Sequence, residues 1–220
     1  MRIGVIGSGH IGGNCALQAV KGGHEVMLSF ARDPSKLDEL ATELGTSASV
    51  GNPTEAAAFG EVVILSVPWS VIPAALAQGG NLGGKVVIDT TNQFGSGPMP
   101  PPGRTAASFN AERMPGARYV KSFNTLTSRF QQQAATRNGS DRVVQWICGD
   151  DQAAKKLVAG LIEDMGYVPV DLGGTNTCRV MEAPRRHGAV YGEEYRVADA
   201  QAVVDAVRDG APIPPTPSYE

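Results

Sequence analysis

The sequence predicts an α/β fold: a doubly wound, mainly parallel sheet with a small C-terminal α/β or helical extension. Three observations carry that prediction. Short apolar runs alternate with longer stretches of helical periodicity, the trace left by successive βαβ units. The first apolar run, Arg2–Ile6, leads directly into Gly7-Ser8-Gly9-His10-Ile11-Gly12 at the opening of a helix, which is how a Rossmann-type fold begins. The chain has 220 residues, 42% of them hydrophobic, enough for one large domain with a small appendage and a core that needs no cross-link.

Taken in order, Arg2–Ile6 reads as the first strand and Ile11–Lys21 as the first helix, stopped by Gly22-Gly23. His24–Phe30 is a second strand, and Ser35–Leu44 is a helix with Leu37, Leu40 and Leu44 on one face. A short strand at Ala48–Val50 and a short helix at Thr54–Phe59 follow. Glu61–Val67 is the most hydrophobic strand; a helix near Ser70–Gln78 and a strand at Lys85–Thr90 come next. Asn92–Arg104 is a Gly/Pro loop long enough to expect a functional lid or binding loop. Ala106–Met114 reads as a helix, Tyr119–Phe123 as a sixth strand and Gln131–Arg137 as a helix. Val143–Cys148, Gln152–Met165 and Tyr167–Asp171 make one further βαβ-like unit. Asn176–Ala206 reads as mostly helical, and the Pro-rich tail 211–220 as an extended arm. The expected division is a nucleotide-binding domain over 1–130 and a small extension over 131–220.

Charged residues are 19% of the chain and the net charge is −3, which argues against a nucleic-acid footprint or a polybasic membrane patch. Three cysteines without CxxC spacing predict a reducing compartment. The chain opens on MRIGVIGSGH, already a strand and a turn, with no targeting peptide to be read there. No apolar run approaches the roughly 20 residues that span a bilayer. The expectation is a cytoplasmic protein. No HExxH, Walker or Cys/His spacing appears, so no metal is expected.

The glycine turn carries the strongest chemistry. Gly7 suits the tight turn, Gly9 lets the backbone approach a pyrophosphate, and Gly12 packs helix on strand. The phosphates then meet the free N–H groups and dipole of a helix N-terminus, with Ser8, His10 and Ile11 in the same turn. After the second strand an NAD enzyme needs an acid to bind the ribose 2′-OH. Here the chain reads Leu28-Ser29-Phe30-Ala31-Arg32, followed by Asp33, Ser35 and Lys36. Hydroxyls and a guanidinium bind a 2′-phosphate that a carboxylate would repel, so NADP(H) is expected on Ser29, Arg32, Ser35 and Lys36. Val67, Pro68 and Trp69, at the end of the fourth strand, are placed to flank the adenosine or nicotinamide; Thr91 and Asn92 are placed for the nicotinamide ribose.

Two further stretches are candidates for a second substrate. Lys121-Ser122-Phe123-Asn124-Thr125-Leu126 turns a strand into a polar elbow, and residues 185–195 (RRHGAVYGEEY) gather chemistry-capable side chains. Asn124, Thr125 and His187 are the residues selected there, against the alternative of a solvated, ion-paired segment. No GxSxG elbow and no Tyr-x-x-x-Lys pair is present, and no catalytic residue can be named. That inventory suits hydride transfer by juxtaposed rings without a dedicated proton donor.

The stretches IGVIGSGHIGG, GHEVMLSFARDP, VVILSVPW, VVIDTTN, VKSFNTL and HGAVYGEEY run from residue 3 to residue 195. Together they resemble the NADPH-dependent coenzyme F420 reductase family (F420H2:NADP oxidoreductases) and its bacterial dinucleotide-binding relatives. A similar domain occurs in the cytosolic part of six-transmembrane metalloreductases, which share the Lys-small-Phe-Asn-Thr elbow. The resemblance implies that Ser8 to Gly12 hold the pyrophosphate and that Ser29, Arg32 and Lys36 hold the 2′-phosphate. It implies that Val67, Pro68 and Trp69 border the nicotinamide, with a deazaflavin against it near Asn124 and Thr125. It also implies coenzyme F420, FMN or FAD as co-substrate, and a homodimer. Reduction of a small C=O or C=N substrate, and a non-catalytic NADPH-sensing protein, are the alternatives.

Overall fold

In the computed structural model, which describes residues 1–219, six parallel strands form the main sheet: β1 (Arg2–Ile6), β2 (Glu25–Ser29), β3 (Ala48–Val50), β4 (Val62–Leu65), β5 (Val86–Asp89) and β6 (Arg118–Lys121). Their order is β3-β2-β1-β4-β5-β6. Strand order therefore reverses between β1 and β4, and the crevice that opens at the carboxyl ends of those strands is where open parallel sheets bind ligands. Glu220, the last residue of the predicted arm, lies outside the described residues.

The strands alternate their side chains between two buried faces. Ile3 and Val5, with Val62 and Ile64, pack under α1 (His10–Lys21), α2 (Ser35–Leu44) and α7 (Gln152–Asp164). Ile6, Val63, Leu65 and Val87 pack with α4 (Ile72–Gly79), α5 (Ala106–Glu112) and α8 (Val197–Asp209). Helices on both faces explain why β4 reads VVIL, buried at every position, rather than alternating. Two shorter helices complete this part: α3 (Pro53–Phe59), opened by a capping box between Asn52 and Glu55, and α6 (Ser128–Ala134), capped by Thr127.

The extension adds β7 (Val144–Ile147) and β8 (Val168–Asp171), a parallel pair joined through α7. Lys121 and Cys148 exchange backbone bonds of 2.8 and 3.1 Å, a single antiparallel bridge that ties the end of β6 to the residue after β7, while β7 and β8 form a two-stranded sheet of their own. Among the described residues, no helix is long and apolar enough to cross a membrane, and no cluster of His, Cys, Asp and Glu is suited to a metal ion.

Asn176–Ala206, expected to be mostly helical, is helical only towards its two ends. A short 3-10 turn covers Thr177–Met181, residues 182–196 form an irregular loop, and α8 begins only at Val197. Pro184 and the left-handed Gly188 and Gly192 (φ of 72° and 81°) break any helical run. The loop's polar groups are satisfied one at a time, as where Val190 N–H donates to Val180 and Gly192 N–H to Thr125, both at 2.8 Å. β2 and β6 also stop short of their expected ends, at Ser29 and Lys121, because Phe30 and Phe123 take left-handed backbone (φ 58° at each). Through residue 219 the arm has no helix or strand, with Ile213 buried and the Tyr219 hydroxyl donating to Asp199 at 2.6 Å.

Candidate functional site: the carboxyl edge of the sheet

The turn between β1 and α1 contains glycines of two kinds. A Cβ on Gly7 (φ 104°) would lie 2.2 Å from the Ser66 carbonyl oxygen, and one on Gly12 would lie 1.9 Å from the Gly7 carbonyl oxygen. The chain's own packing demands both. Gly9 is different: it is exposed, its φ is −76°, and a Cβ there would meet no protein atom within 4 Å. The protein leaves that space open beside the N-terminus of α1, which has no side-chain cap and no acid in its first turn. Uncapped N–H groups facing open space fit a pyrophosphate. His10 is exposed at the same place, Ile11 is half-buried, and the Ser8 hydroxyl ties the turn to β2 by donating to Ser29 O at 3.2 Å.

Beyond β2, Arg32, Ser35 and Lys36 are all exposed, and neither Arg32 nor Lys36 has an ion-pair partner among the described residues. Two expected hydroxyls are otherwise engaged. Ser29 is fully buried and donates to Val5 O at 2.8 Å, so its side chain serves the sheet, not the crevice. The Ser35 hydroxyl donates to Asp33 at 2.9 Å. The two free cations remain for a 2′-phosphate.

At the end of β4, Pro68 is exposed and Val67 buried. Trp69 is 1% exposed: its indole donates to Pro98 O at 2.9 Å, its ring stacks on Phe109, and the Arg113 guanidinium lies 5.3 Å from it. It therefore pins the 92–104 loop from below and has no face left for a nicotinamide. Thr91 is likewise consumed internally, its N–H by Asp89, its hydroxyl by Asn110 and its carbonyl by Lys121.

Thr91 is consumed by a buried ion pair of which only the Lys121 half falls in a candidate motif. Asp89 and Lys121 end β5 and β6, both fully buried, 3.4 Å apart. Asp89 also accepts from the Tyr119 hydroxyl at 2.6 Å and from Asn110 at 2.9 Å. Burial acts to raise the Asp89 carboxyl, but the Lys121 charge and the hydrogen bonds from Tyr119, Asn110 and Thr91 outweigh it and hold the group below its ordinary value. Burial and the neighbouring carboxylate push the Tyr119 hydroxyl well up, so it stays a donor. The available signal was local: a charged residue closing each of two adjacent strands.

Next to this pair, Asn92 and Asn124 clasp each other. Asn92 donates to the Asn124 carbonyl at 2.9 Å, and the Asn124 amide donates to Asn92 at 3.1 Å and to Met181 O at 2.5 Å. Gln93 donates to Ala183 O at 2.7 Å, and Thr125, buried, receives Gly192 N–H. The structure thus brings Asn92, Asn124 and Thr125 together with the 181–193 loop at the ends of β5 and β6. His187 is exposed farther along that loop, in a cleft of about 350 Å³ against the C-terminal arm. Phe94 and Tyr191, neither anticipated, form an aromatic pair with centroids 6.2 Å apart.

Sequence and fold both have relatives among known proteins. Residues 2–93 match the family model described as NADP oxidoreductase, coenzyme F420-dependent. Metalloreductase STEAP3 of Rattus norvegicus is 29% identical over 182 residues, covering 83% of this chain and 36% of the relative. Metalloreductase STEAP2 of Homo sapiens is 23% identical over 180 residues, covering 82% and 35%. The chain spans about a third of the length of the curated relatives it matches. Among solved structures, the hypothetical protein SMa0349 of Sinorhizobium meliloti is 26% identical with a TM-score of 0.78, covering 89% of this chain and 95% of that one. A candidate F420-dependent NADP reductase from Arthrobacter sp. FB24 is 28% identical with a TM-score of 0.68, covering 81% and 87%. The reductive aminase of Aspergillus terreus, solved with NADPH and ethyl levulinate, shares the fold at 23% identity and a TM-score of 0.59, over 81% of this chain and 57% of that one.

Proposed function

We propose that this chain, whose residues 2–93 match the family model of coenzyme F420-dependent NADP oxidoreductases, passes hydride between NADP(H) and a planar deazaflavin (F420) or flavin. The observation that carries the reading is the uncapped N-terminus of α1 beside the open space at Gly9, with the unpaired cations Arg32 and Lys36 beyond β2. The N–H groups of the turn bind the pyrophosphate, and Arg32 and Lys36 bind the 2′-phosphate. The Asp89–Lys121 pair splints the Thr91–Asn92 turn, and the Asn92–Asn124 clasp forms the floor on which the two rings meet. That floor offers amides and a carboxylate locked in an ion pair, with no free acid or base, which suits direct transfer between apposed rings.

NADPH held by the Gly7–Gly12 turn with Arg32 and Lys36 would supply the hydride, and a deazaflavin or flavin ring would accept it together with a proton from water. The protein holds the rings in register. In the same reading, residues 1–130 hold the nucleotide, residues 131–220 border the second ring, and the enzyme works as a cytoplasmic homodimer. The test is to mix the protein with NADPH and, separately, F420, FMN or FAD under anaerobic conditions and follow the near-ultraviolet absorbance of NADPH. Oxidation is expected with at least one ring acceptor and not with a small imine or ketone offered alone. The reverse pattern would replace this reading with that of a carbonyl or imine reductase.

A further inference from the structure

The backbone of residues 181–183 holds three polar contacts of the ring floor. Met181 O accepts from the Asn124 amide at 2.5 Å, Ala183 O accepts from Gln93 at 2.7 Å, and Ala183 N–H donates to Asn92 at 3.4 Å. These residues close the 3-10 turn at Thr177–Met181 and open the irregular loop, so no long helix or strand fixes where the two carbonyls lie. The residue between them is Glu182, and its side chain is anchored on a different element.

Glu182 is 3% exposed and meets no cation at ion-pair distance among the described residues. Its carboxylate oxygens accept from the backbone N–H groups of Ala107 at 2.8 Å and Ala106 at 2.9 Å. Those are the first two N–H groups of α5, which find no partner inside their own helix. The next one, of Ser108, donates to the Thr105 hydroxyl oxygen at 2.9 Å. Ala106 and Ala107 are buried, so water cannot replace these bonds and breaking them is costly. The helix is also tied beneath the floor, because the Asn110 amide donates to Asp89 at 2.9 Å and to the Thr91 hydroxyl at 3.2 Å. One short helix thus joins the end of β5 to the 181–183 backbone through two buried carboxylates. A carboxylate offers an acceptor to each N–H group, whereas an amide of the same size offers one acceptor and one donor.

We infer that Glu182 is a positioning residue for hydride transfer. By seating its own backbone on the start of α5, it sets the Met181 and Ala183 carbonyls against Asn124 and Gln93, and through them the Asn92–Asn124 clasp. Glu182 itself touches neither ring. The inference rests on the proposed ring floor and names the anchor that keeps that floor in register.

The test compares Glu182→Gln, which keeps one acceptor, with Glu182→Ala, which keeps none. The first readout needs no second substrate: the nicotinamide emission of bound NADPH reports the surroundings of that ring, while the affinity reports mainly the grip on the phosphates. Both variants should bind NADPH with nearly the wild-type Kd but lose much of the emission change that binding produces. The second readout is NADPH oxidation with whichever acceptor the wild type reduces, a ring or a small imine or ketone. There kcat is expected to fall about tenfold in Glu182→Gln and about a hundredfold in Glu182→Ala, the order of loss that follows a small misplacement of reacting atoms. The deuterium isotope effect on kcat should rise with it, as hydride transfer becomes the slow step. Asn52→Ala, which removes the cap of α3, lowers stability away from this network and should move neither readout. If Glu182→Ala does not fold, Glu182→Gln is joined by Gln93→Leu, which releases Ala183 O while leaving Glu182 in place and should also lower kcat. Unchanged emission and kcat in the folded variants, or losses that Asn52→Ala reproduces, would overturn the inference and leave the proposed function standing. A wild type that reduces no ring acceptor, with emission lost in Glu182→Gln, would uphold the positioning role and refute the proposed hydride acceptor. A wild type whose bound NADPH shows no emission change would count against both.

Discussion

Arg32 illustrates what one exposed side chain can decide. It follows the left-handed Phe30 at the end of β2, has no ion-pair partner among the described residues, and is the residue to which the proposed function assigns the 2′-phosphate. Arg32→Ala is expected to cost NADPH binding about 2 kcal/mol, roughly thirtyfold in Kd, while NADH is nearly unaffected. Equal losses for the two nucleotides, measured by titration calorimetry, would show that Arg32 acts on the fold instead. Asp89 is the opposite kind of residue, fully buried and bonded on every side. Its native pKa lies below the ordinary value of 3.8, so its contribution to stability is complete above that value and is lost as pH falls below it towards the native pKa. Asp89→Asn leaves the Lys121 charge buried and unpaired and is expected to destabilise the protein by about 3–5 kcal/mol, read in urea unfolding. A variant within 1 kcal/mol (about fivefold in the folded ratio) of the parent would show the pair to be unimportant. Sequence reasoning reached Arg32 through its place after a strand. It missed Asp89 because a buried acid and an exposed one look alike until the fold pairs them.

Among the elements, the strand–turn–helix from β1 to α1 was the most legible, since glycine spacing, strand hydrophobicity and helix periodicity agree there. The structure adds a distinction that spacing does not contain: Gly7 and Gly12 answer to the protein's own carbonyls, and the space at Gly9 is left open, as the proposed pyrophosphate requires. Gly9→Val should therefore leave the thermal transition little changed, while NADPH and NADH binding both fall by at least tenfold, about 1.4 kcal/mol. A folded Gly9→Val protein that binds NADPH normally would remove the pyrophosphate from this turn. The 176–206 segment was the least legible. Its helix-compatible composition was outweighed by Pro184, Gly188 and Gly192 and by bonds to partners far away in sequence, such as Gln93 to Ala183. Trp69 was misplaced for a related reason. Its position at a strand end pointed towards the crevice, but the Pro98 carbonyl and Phe109 draw it inwards.

For the molecule as a whole, the strand order follows from alternating βαβ units, and the binding crevice follows from where that order reverses. The nucleotide side of the crevice is built from the first 36 residues and was readable locally. In the proposed reading the second side is assembled from the ends of β5 and β6, the start of the 92–104 loop and the 181–193 loop, and no short window of sequence contains it. The central claim concerns what passes between the two sides. It is tested most directly by giving the protein NADPH carrying deuterium on one face of C4, with F420 as acceptor, and locating the label by mass and NMR spectroscopy. Direct transfer predicts that deuterium from one face only appears on C5 of the reduced deazaflavin. Label released to water, or reduction of F420 without label from either face, would contradict it.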